Sequence, residues 1–169
     1  ISLDQVDMHQ FHEQDKNNLF YALLLGLIES SQLKPRGKSV EGLRIELMHH
    51  LRKMPLDCKL GDKTVEQHVK SRMKSNDKLE LYSQLMMNAT GDDCFEGGAL
   101  EVYLFSRLMN VNVAVYNKQD DMLTRVDYIA AKGDKKPTIH LLCTSDTRRR
   151  RSESGLISPT RCNYKLFTP

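Results

Sequence analysis

The stretch DKNNLFYALLLGLIESS, residues 15–31, holds the longest apolar run of this chain. Apolar side chains fill nearly every position from residue 19 to residue 28, and Gly26 interrupts them. A helix that is apolar on all sides has to be buried among other elements. The stretch therefore predicts a buried central helix that ends near residues 30–33.

Boundary signals flank this helix and define the next ones. Asp15 or Asn17 is expected to cap its first turn, since their side chains accept hydrogen bonds from backbone amides that lack a partner. A Lys-Pro-Arg-Gly sequence breaks the chain after it. Ser39 then opens a second helix, which Pro55 ends. Further helices are expected at residues 63–73, 79–87 and 99–109.

The spacing of apolar residues changes after residue 110. Val111, Val113 and Val115 alternate with Asn112 and Ala114, which is typical of a β-strand. Helices followed by a mostly antiparallel sheet define an α+β fold. Further strands are expected at residues 123–129, 138–143 and 162–167.

The composition fits one ordinary globular domain. The chain has 169 residues, of which 40% are hydrophobic and 28% are charged, so it can bury a core. We expect a single domain over residues 1–169, with an irregular segment at residues 1–11 and an exposed basic loop at residues 144–160. No stretch reaches the roughly 18 apolar residues of a membrane helix, so no contact with a membrane is expected.

The basic residues are concentrated in one place. A net charge of +3 is too small to indicate nucleic acid by itself. However, Arg148, Arg149, Arg150 and Arg151 form an unbroken run. Two interpretations stay open: a solvated loop, or a site for an acidic partner or RNA, because arginines form bidentate contacts with phosphates.

The cysteines and histidines show no metal-binding pattern. Cys58, Cys94, Cys143 and Cys162 are widely spaced and form no CxxC pair, so a zinc ribbon is not expected. They are interpreted as free thiols, which indicates a reducing, intracellular and cytoplasmic location. The histidine pairs at residues 9 and 12 and at residues 49 and 50 lack supporting ligands. No metal and no cofactor is expected.

Three separated segments resemble the ovarian-tumour (OTU) family of cysteine deubiquitinases. The segment DKNNLFYAL at residues 15–23 matches the family's nucleophile motif, and FEGGALE at residues 95–101 matches its middle motif. The strand IHLL at residues 139–142 and the segment NYK at residues 163–165 match its last motif. The resemblance implies a papain-related fold, in which a helical half packs on a small twisted sheet with the former active site between them.

The chemistry of that family is absent from the matching positions. Asn18 stands at the position of the nucleophile, Asn163 at that of the general base, and Lys165 at that of the residue that orients the base. Asp15 of the loop is retained, whereas Lys16 replaces the family's glycine. An amide is neither nucleophilic nor titratable near neutral pH. The resemblance therefore implies an inactive deubiquitinase homologue with no catalytic residue.

Other cysteine-based sites are weaker predictions. Cys94 follows two aspartates, and neighbouring carboxylates raise the pKa of a thiol, so it makes a poor nucleophile. His140 lies within an apolar strand and is expected to be a packed or hydrogen-bonded residue. An active deubiquitinating cysteine protease with a rearranged site stays as an alternative. The expected partners are ubiquitin or another protein in a scaffold, or RNA at the arginine run.

Overall fold

The structure, a computed structural model, describes residues 16–31, 39–73, 78–90, 94–119, 122–133, 135–145 and 162–166. Its helices are α1 (Asn18–Ser31), α2 (Val40–Arg52), α3 (Val65–Lys70), α4 (Lys78–Met87) and α5 (Ala99–Met109). Its strands are β1 (Lys59–Leu60), β2 (Lys63–Thr64), β3 (Asn112–Gln119), β4 (Met122–Ile129), β5 (Thr138–Ser145) and β6 (Cys162–Leu166). Helices precede the main sheet, so the predicted α+β class is confirmed.

The predicted apolar faces form the core. On α2, the buried residues include Leu43, Leu47 and Leu51, and the Ser39 hydroxyl accepts a 3.0 Å hydrogen bond from the Gly42 amide. Helix α5 ends at Asn110, whose φ of 54° is the left-handed conformation that asparagine tolerates at a helix end. The start and end of these helices follow directly from such local signals.

The third helix is shorter than the sequence predicts. Residues 63 and 64 form strand β2 and pair with β1, so the helix begins at Val65. The Thr64 hydroxyl accepts from the Gln67 amide at 3.2 Å, and the Gln67 side chain accepts from the Thr64 amide at 2.9 Å. This capping box fixes the start of α3. The β1–β2 hairpin was not predicted, because two-residue strands leave no alternation to detect.

The main sheet has four strands in the order β4-β3-β5-β6 among the described residues. Strand β3 pairs antiparallel with β4 and parallel with β5, and β5 pairs antiparallel with β6. Two of the three pairings are antiparallel, as predicted. The register of β3 and β4 shifts between Val115 and Tyr116, which leaves Val126 as the extra residue of a β-bulge.

Helix α1 packs closely on the middle of the sheet. A β-carbon on Gly26 would lie 2.5 Å from Ile139 Cγ2 and 3.1 Å from Leu166 Cδ1, so the helix approaches β5 and β6 at a distance that only glycine allows. The predicted central helix is thus confirmed.

One boundary and one assignment of the sequence analysis are corrected. Thr144 and Ser145 belong to strand β5, so the predicted loop at residues 144–160 does not begin at Thr144. The rest of that loop and the segment 1–11 lie outside the described residues. Cys143 is disulfide-bonded rather than a free thiol, whereas Cys58 and Cys94 form no disulfide. The inference of a reducing compartment, which rested on four free thiols, is therefore not supported by Cys143.

Membrane association can be judged from the described helices. The longest, α1, has 14 residues, and none of the described helices combines the length and the apolar character needed to cross a bilayer.

Candidate functional site

The first residue of α1 is Asn18, which the resemblance places where the OTU family carries its nucleophile. Asn18 is 8% exposed, and its Oδ1 atom has no hydrogen-bond donor among the described residues. A buried polar atom without a partner costs about 1–3 kcal/mol. The described residues therefore do not compensate for the burial of this amide oxygen.

The turn before α1 is held by a buried arginine of α2. Arg44 has no exposed surface, and its Nε donates to Asn17 Oδ1 at 2.8 Å while its Nη2 donates to the Lys16 carbonyl at 3.0 Å. The Asn17 amide group donates in turn to the carbonyl of Ala89 at 3.0 Å. The Arg44 guanidinium lies 4.2 Å from the centre of the Phe20 ring. These contacts fix the shape of the turn.

Lys16 stands where the resembled family has its glycine, and its carbonyl accepts a hydrogen bond from Arg44 Nη2. Asp15, the other loop residue of the resemblance, lies outside the described residues.

The middle motif, residues 95–98, lies against the start of α1. A β-carbon on Gly97 would come within 2.7 Å of Leu19 Cδ2 and 2.9 Å of the Phe20 ring. The carbonyl of Phe95 accepts a hydrogen bond from Arg44 Nη1 at 2.8 Å. The first two segments of the resemblance, far apart in sequence, therefore meet at the N-terminus of α1, as the resemblance implies.

A buried acidic group supports the middle motif. Glu101 has no exposed surface, accepts a hydrogen bond from the Tyr82 hydroxyl, and accepts another from the Gly98 amide at 2.7 Å. Arg72 Nη1 lies 4.0 Å from its carboxylate and donates to the carbonyl of Glu96 at 2.6 Å. Burial, and then the Glu101 charge, raise the pKa of Tyr82 well above its usual value. A glutamate three residues after a helix N-cap was the available sequence signal.

The last segment of the resemblance lies on β6. The backbone of Asn163 pairs with Thr144, and Lys165 pairs with Leu142. Lys165 is exposed, whereas the side chain of Asn163 lies outside the described side chains. Between them, Tyr164 is 9% exposed. Burial raises its pKa to about 12, with a further contribution from the charge of Glu101.

The contacts of the two described thiols involve a carbonyl and a guanidinium group. Cys94 is buried, and its sulfur contacts the Phe95 carbonyl at 3.8 Å. Cys58 is partly exposed, and Arg107 Nη1 lies 3.7 Å from its sulfur. His140 Nδ1 pairs with the Tyr116 hydroxyl at 3.1 Å, which confirms that it is a hydrogen-bonded residue. None of these contacts joins a thiol to an imidazole.

A separate cavity of about 200 Å³ lies between α3, α5 and β4. The Tyr103 hydroxyl on its wall donates to Asp127 Oδ2 at 3.0 Å. Burial and this bond raise the pKa of Tyr103 to about 12. The other charged groups on the wall are Asp62, Lys63 and Arg72, so the charges balance and favour no class of ionic ligand. The sequence analysis did not find this cavity, because its residues come from four separate elements.

The remaining predicted site residues are resolved only in part. The run Arg148–Arg151 and the histidines at residues 9 and 12 lie outside the described residues. Across the part of the chain that the structure describes, no three histidine, cysteine, aspartate or glutamate side chains come together as metal ligands.

Comparisons with known proteins give a likeness to solved structures. No family model matches the chain, and no curated protein matches it. The OTU domain of OTUD1 is 12% identical over 91% of this chain and 81% of that one, with a TM-score of 0.47.

Proposed function

We propose that this chain is an OTU-like binding module without deubiquitinase activity. The observation that carries the proposal is Asn18, an amide buried at the first residue of the central helix. Thiol proteases of the resembled family need a thiolate at this position and an imidazole to generate it. A carboxamide side chain supplies neither the thiolate nor the imidazole.

The arrangement of the motifs supports an OTU-like reading of the fold. Residues 95–98 contact the first turn of α1 through Gly97, and Arg44 bonds both Phe95 and the turn at residues 16–17. Strands β5 and β6, which carry the last motif, pack against the same helix. The elements that carry the second and third segments of the resemblance therefore both contact α1, which carries the first, although the three are separated along the chain.

Lys165, at the position of the residue that orients the base, gives a further argument against catalysis. Lys165 is exposed and carries a positive charge. A cation beside an imidazole disfavours the imidazolium that forms when the base takes a proton. With Asn163 at the base position and Lys165 at the orienting position, the chain lacks both the imidazole that takes the proton and the group that orients it. Loss at several positions is the pattern of a fold kept for binding.

The proposed partner is ubiquitin or a ubiquitin-like protein. The resemblance places the binding surface for such a partner around the sheet and the middle helices. A protein interface of this kind buries apolar as well as polar surface, so its affinity tolerates salt. A different protein partner in a scaffold is the second possibility, and the binding measurement below distinguishes the two.

A ubiquitin-based electrophilic probe tests the absence of thiol chemistry. The wild-type chain is expected to stay unlabelled and to leave diubiquitin uncleaved. Asn18→Cys alone is expected to restore no turnover, because the base position is Asn163. Robust cleavage by this single variant would contradict the proposal. Addition of Asn163→His and Lys165→Asp supplies the matched comparison, in which turnover can return.

The same probe tests the rearranged-site alternative. Cys58 is the described thiol that fits it best, because Cys58 is partly exposed and its sulfur lies 3.7 Å from Arg107 Nη1. Labelling of the wild type that disappears in Cys58→Ser would establish that alternative. Cys94→Ser, which changes a buried thiol, is the control variant.

Titration with mono-ubiquitin and a diubiquitin panel tests the partner. Saturable binding that persists between 50 and 200 mM salt supports a ubiquitin-binding module. No binding at high micromolar concentration would overturn ubiquitin as the partner and leave the scaffold interpretation.

A further inference from the structure

The two faces of the main sheet differ in what covers them. In β5, Ile139 and Leu141 are buried, and Ile139 meets Gly26 of α1. His140 and Leu142 alternate with them and are partly exposed, so they belong to the opposite face. We call this opposite side, which carries His140 and Leu142, the outer face of the sheet.

Aromatic side chains from three strands come together on the outer face. Ala114 of β3 pairs with Tyr128 of β4 on one side and with His140 of β5 on the other. Residues directly opposite each other in a sheet share a face. The neighbouring residue on this face of β3 is Tyr116, whose ring lies 5.7 Å from that of His140 at an angle of 34°. Tyr128 is 45% exposed.

Positive charges lie on both sides of these rings. Arg125 pairs with Tyr116, is exposed, and places its guanidinium 5.3 Å from the centre of the Tyr128 ring. On the other side, Leu142 pairs with Lys165, which is also exposed. Along this rung the residues follow each other as a cation, an aromatic ring, the aliphatic Leu142 and a second cation.

The nearest acidic group of β4 belongs to the other side of the sheet. Asp127 pairs with the buried Val115, and its carboxylate accepts a hydrogen bond from Tyr103 of α5. Asp127 therefore lies on the opposite side of the sheet from Arg125.

From this arrangement we infer that the outer face binds single-stranded nucleic acid. Unstacked bases stack on aromatic side chains, and their phosphates pair with arginine and lysine. Tyr128, Tyr116 and His140 supply the stacking surface, and Arg125 and Lys165 supply the cations. The charge complementarity favours nucleic acid over a protein partner, whose docking surface would be depleted in charge at its centre. This inference is independent of the proposed ubiquitin-binding function.

Fluorescence anisotropy with a labelled 12-nucleotide oligouridine tests the inference. The full chain is expected to bind it at 50 mM salt and to bind a duplex of the same length less well, because paired bases cannot stack on the sheet. Tyr128→Ala is expected to weaken binding about 5- to 100-fold, whereas Tyr128→Phe keeps the ring and the affinity. The exposure of Tyr128 makes loss of folding an improbable cause, and circular dichroism checks it.

Charge variants separate phosphate contacts from general attraction. Arg125→Gln and Lys165→Gln are each expected to reduce the salt dependence of log K by about 0.7. Arg52→Gln is the matched control, since Arg52 is an exposed arginine on α2, away from the sheet. Equal losses in all three variants would mean non-specific attraction and would overturn the inference.

Two further outcomes would also overturn it. The first is no binding of oligouridine at 50 mM salt. The second is that Tyr128→Ala leaves binding intact, whereas replacement of Arg148–Arg151 by serine abolishes it. The contact with the oligonucleotide would then belong to the β5–β6 connection. If instead Tyr128→Ala removes ubiquitin binding and oligouridine does not bind, the outer face is a protein-binding surface.

Discussion

Arg44 Nε donates a 2.8 Å hydrogen bond to Asn17 Oδ1, which joins helix α2 to the turn before α1. The same guanidinium reaches the carbonyls of Met86 and Phe95 at 2.9 and 2.8 Å. One buried side chain therefore holds the segments that carry the first and middle motifs. Its role is structural support of the candidate site rather than contact with a ligand.

Replacement of this arginine should destabilise the fold strongly. Arg44→Leu leaves several buried acceptors without their donor, and each such group costs about 1–3 kcal/mol, so we expect a loss of about 3 kcal/mol or more. Urea unfolding measures the change. Arg52→Leu, on the same helix, is the control: it breaks the exposed 3.0 Å pair with Glu80, which is worth at most about 1 kcal/mol. Similar losses in both variants would contradict the prediction.

Adjacent glycines provide a second, sharper comparison. Gly97→Ala would press a methyl group into Leu19 and Phe20, and overpacking of this kind costs about 1–3 kcal/mol. Gly98→Ala would meet Arg72 and Glu101 at 3.5 and 3.8 Å, which are ordinary contact distances, so its effect should be small. Thermal unfolding of the two variants side by side checks the difference. Equal stability would contradict the close approach of residues 95–98 to α1.

Asn18 should be replaceable by an apolar residue at no cost to folding. Because its Oδ1 has no described donor, Asn18→Leu removes a buried polar atom whose burial costs about 1–3 kcal/mol. We expect the variant to be as stable as the wild type or more stable, as urea unfolding can measure. A loss of more than about 1 kcal/mol would mean that the amide makes a stabilising contact. Stability gained at a binding site commonly comes with loss of binding.

Because Tyr164 of β6 is buried, we expect the free energy of unfolding to fall at alkaline pH. The pKa of Tyr164 rises from 10 to about 12 in the folded chain, so the fold favours the neutral phenol. Its contribution is complete below pH 10 and is lost between pH 10 and pH 12. A shift of this size corresponds to about 2–3 kcal/mol.

Comparison with Tyr164→Phe isolates that contribution. The phenylalanine variant removes the titrating group while the buried ring is retained. Its unfolding free energy should fall less than that of the wild type between pH 10 and pH 12, because both chains share all other titrations. Parallel curves for the two proteins would show that Tyr164 does not couple folding to pH.

The oxidised state of Cys143 can be read by mass spectrometry. Alkylation of the unfolded chain without reductant should label Cys58 and Cys94 but leave Cys143 unlabelled. Labelling of Cys143 should appear after reduction. Full labelling of Cys143 before reduction would restore the sequence-based interpretation of a free thiol.

Local patterns in the sequence predicted most of the elements. The apolar run of α1, the Ser39 cap of α2 and the valine alternation of β3 each reflect contacts within a few residues. The parallel pairing of β3 with β5 was not predictable, because it depends on partners far apart in the chain. The bulge at Val126 was not predictable either, because the alternation of apolar and polar residues does not show where strand pairing shifts.

The candidate site was predictable only where a motif carried it. Asn18 and Gly97 were found through the resemblance, and the structure brings their segments together. Arg44 was missed, because an arginine in a helix is usually exposed, and nothing in the sequence shows that its donors meet buried carbonyls. Glu101 was recognised only as part of a motif, since burial of a carboxylate depends on the donors that tertiary packing supplies. The cation and ring pattern of the outer face likewise requires the strand order.

The rung formed by Ser145 and Cys162 closes one end of the β5–β6 pair. Neighbouring antiparallel strands can be joined by a turn of only two residues. Residues 146–161 therefore leave and re-enter the sheet at the same rung, and strand pairing does not require their length. This insertion can be shortened, exchanged or expanded in evolution and in the laboratory while the sheet persists. The arginine run that it carries can therefore change while the strand pairing stays the same.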